Sequence, residues 1–217
     1  YVYSFGKCLF MPADLTAGLE YNRDNLKDDM WGYNRYTKQT VNIGSAFLQN
    51  EWKNEKWSIL LGGRLDKHNL INHVIFSPRA NLRFNPSEDI NLRLSYSSGF
   101  RAPQAFDEDL HIENVGGTVS MIERAKNLKE EKSQSFSASA DMYHRFGAFQ
   151  VNFLVEGFYT RLSDVFVLEN IGERDGILIK ERRNGSGAKV LGLSMEGKMA
   201  YLSLFQLQAG VTLQQSR

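Results

Sequence analysis

The residues with the most chemical reach gather in one stretch. Arg101 stands in Ser97-Ser98-Gly99-Phe100-Arg101-Ala102-Pro103, where its guanidinium could pair with the carboxylates of a ligand or only with carboxylates beside it. Asp107, Glu108, Asp109, His111 and Glu113 follow. Carboxylate oxygens suit calcium, but the spacing lacks an ordered Asp-x-Asp-x-Asp-Gly loop, so a solvated acidic loop is the simpler reading and no metal site is expected. His111 offers a neutral imidazole, which is suited to iron, or else a solvated loop side chain. Earlier in the chain, Trp31, Tyr33 and Tyr36 could stack on a planar ligand or a sugar, or pack the loops together. Cys8 is the only cysteine, which excludes an internal disulfide and a cysteine-based zinc site. Gly185-Ser186-Gly187 leads into strand-like alternation rather than a helix and is no phosphate cradle. No nucleophile, base and orienting group fall together, so neither catalysis nor a cofactor is expected.

The elements that must position these groups alternate with a period of two. Ile90, Leu92, Leu94 and Tyr96 oppose Asn91, Arg93, Ser95 and Ser97, and this strand is expected to stop at the Gly99 to Pro103 stretch, where Pro103 cannot donate to a ladder. About thirty acid-rich residues without periodicity follow before alternation resumes at Ser133, far beyond a hairpin loop; so long a loop is functional or disordered. The same pattern recurs in Leu15 to Tyr21, Trp57 to Leu65, Ala80 to Phe84, Phe136 to Met142, Phe149 to Val155, Leu191 to Met199 and Phe205 to Leu213. From Thr40 to Lys53 the parity conflicts, with Val41, Ile43 and Phe47 against Leu48 and Trp52, and a bulge is expected to reconcile them. Arg23 to Gln39 reads as a surface loop, Lys67 to Ser77 as a medium loop, and Asp164 to Ser186 as a hairpin projecting from a rim.

Tight turns are expected near Met11, Asn54, Ser87, Gly147 and Leu202, and they alternate strictly with the long connections. Outer-membrane barrels sort their loops this way, and a soluble sandwich has no reason to. The fold class is therefore all-β, with the chain supplying roughly ten strands of an antiparallel transmembrane β-barrel. Trp52 and Trp57 flank one turn as an aromatic girdle would, and Glu20, Arg64, Asp66, Arg83, Arg93, Asp141 and Glu156 suit a wet lumen. Mean hydropathy is −0.39 and no long apolar run exists, which excludes a transmembrane helix but not a barrel. The 26 basic and 25 acidic residues leave +1, so no nucleic-acid partner is expected.

In order and spacing these words resemble the TonB-dependent receptors of Gram-negative outer membranes. Phe100-Arg101-Ala102-Pro103 matches the family's strand-ending box. Ala125-Lys126-Asn127-Leu128-Lys129-Glu130-Glu131 stands where the family has an Asn-Pro-Asn-Leu-Lys-Pro-Glu-like segment, here without either proline. Gly63-Arg64-Leu65-Asp66, Ser77-Pro78-Arg79-Ala80-Asn81-Leu82 and Ala46-Phe47-Leu48-Gln49-Asn50-Glu51-Trp52 add to the match. The resemblance implies a barrel of about 22 strands around a plug, of which residues 1–217 would supply part, with the plug and the C-terminal strands outside it. It further implies an active transporter in the cell outer membrane, set in outer-membrane lipid. The cargo would be a scarce nutrient such as an iron–siderophore, haem or cobalamin, and the TonB complex would energise import through the plug. In haem-transporting members a histidine between the two boxes is a haem ligand, which makes His111 a candidate. Arg101, Asp107, Asp109, Glu113, Trp31 and Tyr33 complete the ligand-binding candidates, while Phe100, Ala102, Pro103, Asn127 and Leu128 carry the boxes. The alternatives are a small self-contained barrel acting as a passive pore or enzyme, and a soluble β domain.

Overall fold

Fourteen strands account for most of the chain in a computed structural model that describes residues 1–33, 35–105, 110, 113–115 and 118–217. They are β1 (Val2–Cys8), β2 (Met11–Met30), β3 (Arg35–Lys53), β4 (Trp57–His68), β5 (Val74–Ser87), β6 (Ile90–Arg101), β7 (Glu113–Val115), β8 (Thr118–Arg124), β9 (Glu131–Phe146), β10 (Phe149–Ser163), β11 (Phe166–Arg174), β12 (Ile177–Asn184), β13 (Ala188–Tyr201) and β14 (Phe205–Ser216). Ten of them form one sheet in the order β1-β2-β3-β4-β5-β6-β9-β10-β13-β14, every neighbour antiparallel. The other four form a second sheet, β11-β12-β8-β7, built from two insertions between strands of the first.

Register explains the alternation. Residues directly opposite on neighbouring strands share a face, so Leu82, Leu94, Ala138, Gly157 and Leu193 form one apolar row across five strands. The intervening positions Arg83, Arg93, Ser139 and Glu156 form a polar row on the opposite face. Exposed Leu, Val and Phe side chains thus cover one face of the sheet, and hydrogen-bonded polar groups cover the other. On the polar face Arg64 donates to Asp66 at 2.8 Å, to Glu20 at 2.9 Å and to Ser45 at 2.8 Å, while Ser45 donates to Asp66 at 2.6 Å. Such pairing keeps the nearly inaccessible Asp66 from being a lone buried charge.

Tight turns all fall at one end, between β1 and β2, β3 and β4, β5 and β6, β9 and β10, and β13 and β14. The Asn54 side chain accepts from the Lys56 and Trp57 amides and closes one of them. Pro12 and Pro86 sit at irregularities of register, Phe5/Cys8 in β1 and Phe84/Ser87 in β5, where a missing N–H does least harm. The apolar face at this end carries the expected girdle: Phe10 stacks on Trp52, Trp57 on Phe84, and Tyr201 on Phe205, with ring centroids 5.7, 4.1 and 5.8 Å apart.

Several expectations need correction. The turn placed near Met11 is at Leu9 and Phe10. Residues 23–30 and 35–39 are strand and not loop, because β2 and β3 pair without a break from Ala13↔Trp52 to Met30↔Arg35, with Trp31–Tyr33 in a 3-10 turn. A membrane-crossing strand needs about 9–11 residues, so the 20 residues of β2 carry this hairpin well past the apolar band. The β3 bulge is absent: Val41, Ile43 and Phe47 lie on the polar face, and the Phe47 ring lies where a side chain on Gly18 would be. The β4–β5 connection shrinks to residues 69–73, β6 continues through Gly99 to Arg101, and β9 begins at Glu131. The long stretch between the boxes holds β7 and β8, so it is not all irregular.

Candidate functional site

The end opposite the tight turns gathers the long connections, and the two boxes fasten them there. Above Arg79↔Ser97 the ladder between β5 and β6 stops. In the resulting gap Ile71, Ile75 and Ala102 form a small buried core with Phe100 packed against it. Ala102 and Phe100 therefore dock the start of the first insertion on the β4–β5 loop. Ala105 is held to β3 by its amide donating to Gln39 at 2.8 Å.

The second box is bound as tightly. Its turn closes with the Leu128 amide donating to Ala125 at 3.2 Å, so Asn127 lies inside a turn rather than at a strand start. Asn184, at the end of β12, accepts from the Lys129 amide and donates to the Lys129 carbonyl, at 2.8 and 3.1 Å. Glu130 is buried and paired with Lys132 at 3.0 Å and His73 at 3.2 Å. Burial pushes its carboxyl up, but the hydrogen bond from Lys132 and the nearby charges outweigh that and hold it below the usual carboxylate range. Glu131 accepts from the Phe166 amide at 2.9 Å, which ties the box to β11. Arg101 faces Glu131 across the β6–β9 ladder, with its guanidinium carbon 5.7 Å from the Phe166 ring centroid.

Between these anchors β8 pairs in parallel with β12, from Val119↔Ile177 to Arg124↔Arg182, although the two strands come from different insertions. Ile122, Ile179 and Ser120 are buried in this sheet. Beneath it opens a cavity of about 620 Å³, lined by Arg35, Tyr36, Glu123, Arg124, Arg174 and Ile177 among others. Arg174 donates to Glu123 at 3.0 Å. Arg124 makes no ion pair among the described residues. The lining carries three guanidinium groups, the carboxylates of Glu123 and Asp175 and a phenol, so it keeps an excess of positive charge, and the Arg124 fork matches a carboxylate or catecholate pair of oxygens.

The proposed site residues separate under this geometry. Trp31 is exposed at the tip of the β2–β3 hairpin, with Tyr33 in the same short 3-10 turn, and Tyr36 lines the cavity. Arg101 lies outside the cavity lining. Pro103 follows the docked Ala102 at a bend, after the strand has ended. Asp107, Asp109 and His111 lie outside the described residues, and of Glu113 only the backbone, in β7, is described. Among the described residues no three His, Cys, Asp or Glu side chains come together. Arg35, Arg124 and Arg174 were missed, and only the alternation of Val119, Met121 and Glu123 with Ser120, Ile122 and Arg124 hinted at a strand there.

The profile of one known family, described as the TonB dependent receptor-like β-barrel, matches residues 2–217. The chain belongs to the TonB-dependent receptor family. No curated protein matches it. Solved structures place it on the same barrel. The siderophore receptor PirA from Pseudomonas aeruginosa is 17% identical with a TM-score of 0.78, over 97% of this chain and 41% of that one. PirA from Acinetobacter baumannii is 18% identical with a TM-score of 0.73, over 98% and 35%. The FrpB iron transporter from Neisseria meningitidis is 15% identical with a TM-score of 0.70, over 100% and 35%. The chain thus spans about two-fifths or less of these relatives.

That family architecture makes the β11–β12 hairpin an insertion between barrel strands, and its exit is conformationally demanding. Gly187 has φ +103°, and a Cβ there would sit 2.6 Å from the Leu162 carbonyl oxygen. Gly187→Ala is expected to cost about 1–3 kcal/mol locally. Limited proteolysis of the folded receptor should then cut residues 164–187 faster while leaving the barrel strands intact.

Proposed function

We propose that this chain is part of the barrel of an outer-membrane receptor that imports an anionic iron chelate. The observation that carries this is the basic cavity at the loop rim, where Arg35, Arg124 and Arg174 surround one space. A ferric chelate built on catecholate or carboxylate groups is the cargo whose charge suits this excess of cations and whose planar oxygen pairs suit the Arg124 fork. The names of the structural relatives, siderophore receptors and an iron transporter, agree with that choice.

The sheet has open edges at β1 and β14, and hydrocarbon tolerates no unpaired strand edge, so further strands are inferred to complete the barrel, and membership of the family adds a plug inside it. Import against a gradient would then draw on the TonB complex through that plug, and no catalysis is involved. Growth of a strain relying on the full-length receptor, with each ferric chelate, haem or cobalamin as the sole source, tests the reading. Growth on a ferric chelate that disappears when TonB is deleted is the expected result. Growth on cobalamin alone would overturn the cargo, and growth that survives loss of TonB would overturn the mechanism.

A further inference from the structure

β8 and β12 pair in parallel although they belong to different insertions, so no turn sets how far along each other they lie. Side-chain alternation does not set it either. With Ser120, Ile122 and Ile179 buried, a slip of β8 by two residues keeps the same face of the strand inside. That slip would carry Arg124 about 7 Å along the sheet, away from its place at the basic cavity. The register must be pinned from outside the ladder.

A pin is present where β8 runs into the second box. The Ala125 amide donates to the Arg182 carbonyl at 3.0 Å, which carries the ladder one residue past Arg124↔Arg182. Beyond that point the Asn184 side chain takes over. Its Oδ1 accepts from the Lys129 amide at 2.8 Å, and its Nδ2 donates to the Lys129 carbonyl at 3.1 Å and to the Asp164 carbonyl at 2.7 Å. Asp164, at φ +54°, follows the last residue of β10 and opens the second insertion, which Asn184 closes at the end of β12. One amide thus ties the second box to both ends of that insertion, with its acceptor and both donors in use. An ionised Asp has no donor, Ser has one, and Gln is a methylene longer, so the arrangement is particular to Asn. Asn184 is itself outside the cavity lining. We infer that Asn184 is a positioning residue for cargo binding: it fixes the register of β8 on β12 and thereby holds the Arg124 guanidinium at the cavity, without touching the cargo. This role rests on the proposed reading of the cavity as the cargo site.

The test titrates the purified full-length receptor with a ferric tris-catecholate and follows amide hydrogen exchange by mass spectrometry. Asn184→Ala should weaken binding roughly tenfold and speed exchange of residues 119–124, while β9 and β10 exchange as in wild type. Asn184→Asp keeps the shape and the acceptor but has no donor at pH 7, and should lose as much. Asn184→Ser, with one donor left, should fall between it and wild type. Heat-modifiable gel mobility should match wild type in every variant, which separates a displaced strand from a misfolded barrel. The double variants decide how Asn184 acts. If it works through Arg124, then Arg124→Ala/Asn184→Ala binds no more weakly than Arg124→Ala alone. Arg35 stands on β3, so Arg35→Ala/Asn184→Ala should instead lose the product of the two single effects. Product losses in both doubles would mean that Asn184 only holds the rim together, and would overturn the inference. Binding lost in Arg124→Ala but kept in Asn184→Ala would overturn it while leaving the cavity as the cargo site. Binding kept in both would remove the cavity from cargo recognition, and the positioning role with it.

Discussion

Leu94→Arg in the full-length receptor is expected to lower barrel stability by about 2–4 kcal/mol if the position lies near the bilayer midplane. Leu94 stands between Leu82 and Ala138 in the apolar row, half-exposed on the face that register assigns to lipid. A guanidinium there must leave water or deform the bilayer, and no carboxylate lies in its row to share the charge. Gln208→Arg is the matching control. Gln208 pairs with Lys198 on the polar face, where water remains, so its cost should stay below about 1 kcal/mol. Denaturant unfolding in vesicles, followed by tryptophan fluorescence, gives both values. Equal costs for the two variants would mean that both faces are packed alike, and the outward assignment would be wrong.

The apolar face was legible because alternation is a direct record of two solvents. Leu92, Leu94, Tyr96, Val151, Phe153, Val155, Leu207, Ala209 and Val211 share one face by register, opposite Asn91, Arg93, Asn152 and Gln208, as the pattern alone predicts. Where both faces meet water the record vanishes. The segment from Arg23 to Gln39 extends beyond the apolar band, so nothing forces its side chains to alternate, and it reads as a loop although residues 23–30 and 35–39 are paired strand. Parity misleads in β3 for a different reason. Phe47 is apolar yet faces the lumen, because its ring covers Gly18 on the neighbouring strand, and a one-dimensional pattern cannot show what lies alongside.

The boxes follow the same logic. Their residue types announce a strand end and a strand start; β6 does end inside the first box, at Arg101, but β9 starts only at Glu131, the last residue of the second, with Asn127 in a turn before it. What each residue does there depends on partners far off in sequence: the Ala102 side chain on Ile71 and Ile75, the Lys129 backbone on the Asn184 side chain, the Glu130 carboxylate on His73. The rim sheet was hidden most completely, since β8 meets β12 in parallel across more than fifty residues and a local signal exists for neither pairing nor direction. Its discovery also changes which experiment is informative. Deleting residues 107–123 would remove most of the central strand of that sheet as well as any ligand contacts, so a loss of uptake could come from the fallen β11–β12 hairpin alone.

Arg124→Ala avoids that ambiguity. The residue ends β8, lines the basic cavity, and has no ion-pair partner among the described residues, so its removal leaves no carboxylate stranded. A charge-assisted hydrogen bond to an anionic oxygen contributes about 1.5–3 kcal/mol, so the dissociation constant for a ferric catecholate or carboxylate chelate should rise about tenfold to a hundredfold or slightly more. Arg124→Lys should recover part of that, because an ammonium supplies the charge without the two-pronged fork. Arg174 gives a second reading of the same cavity. It is already paired with Glu123 and is more exposed, so Arg174→Ala should lose less than Arg124→Ala. Two cations outside the lining calibrate the result: Arg101, over the Phe166 ring, and the exposed Lys126 in the second box. Replacing either by Ala should change affinity by no more than about threefold if long-range charge is all they offer. Fluorescence titration of the purified full-length receptor with the chelate at two salt concentrations measures all five variants. A large loss at Arg101 with none at Arg124 would move the binding site to the base of the first insertion. Similar losses at every cation, vanishing in high salt, would reduce the cavity to a general electrostatic funnel.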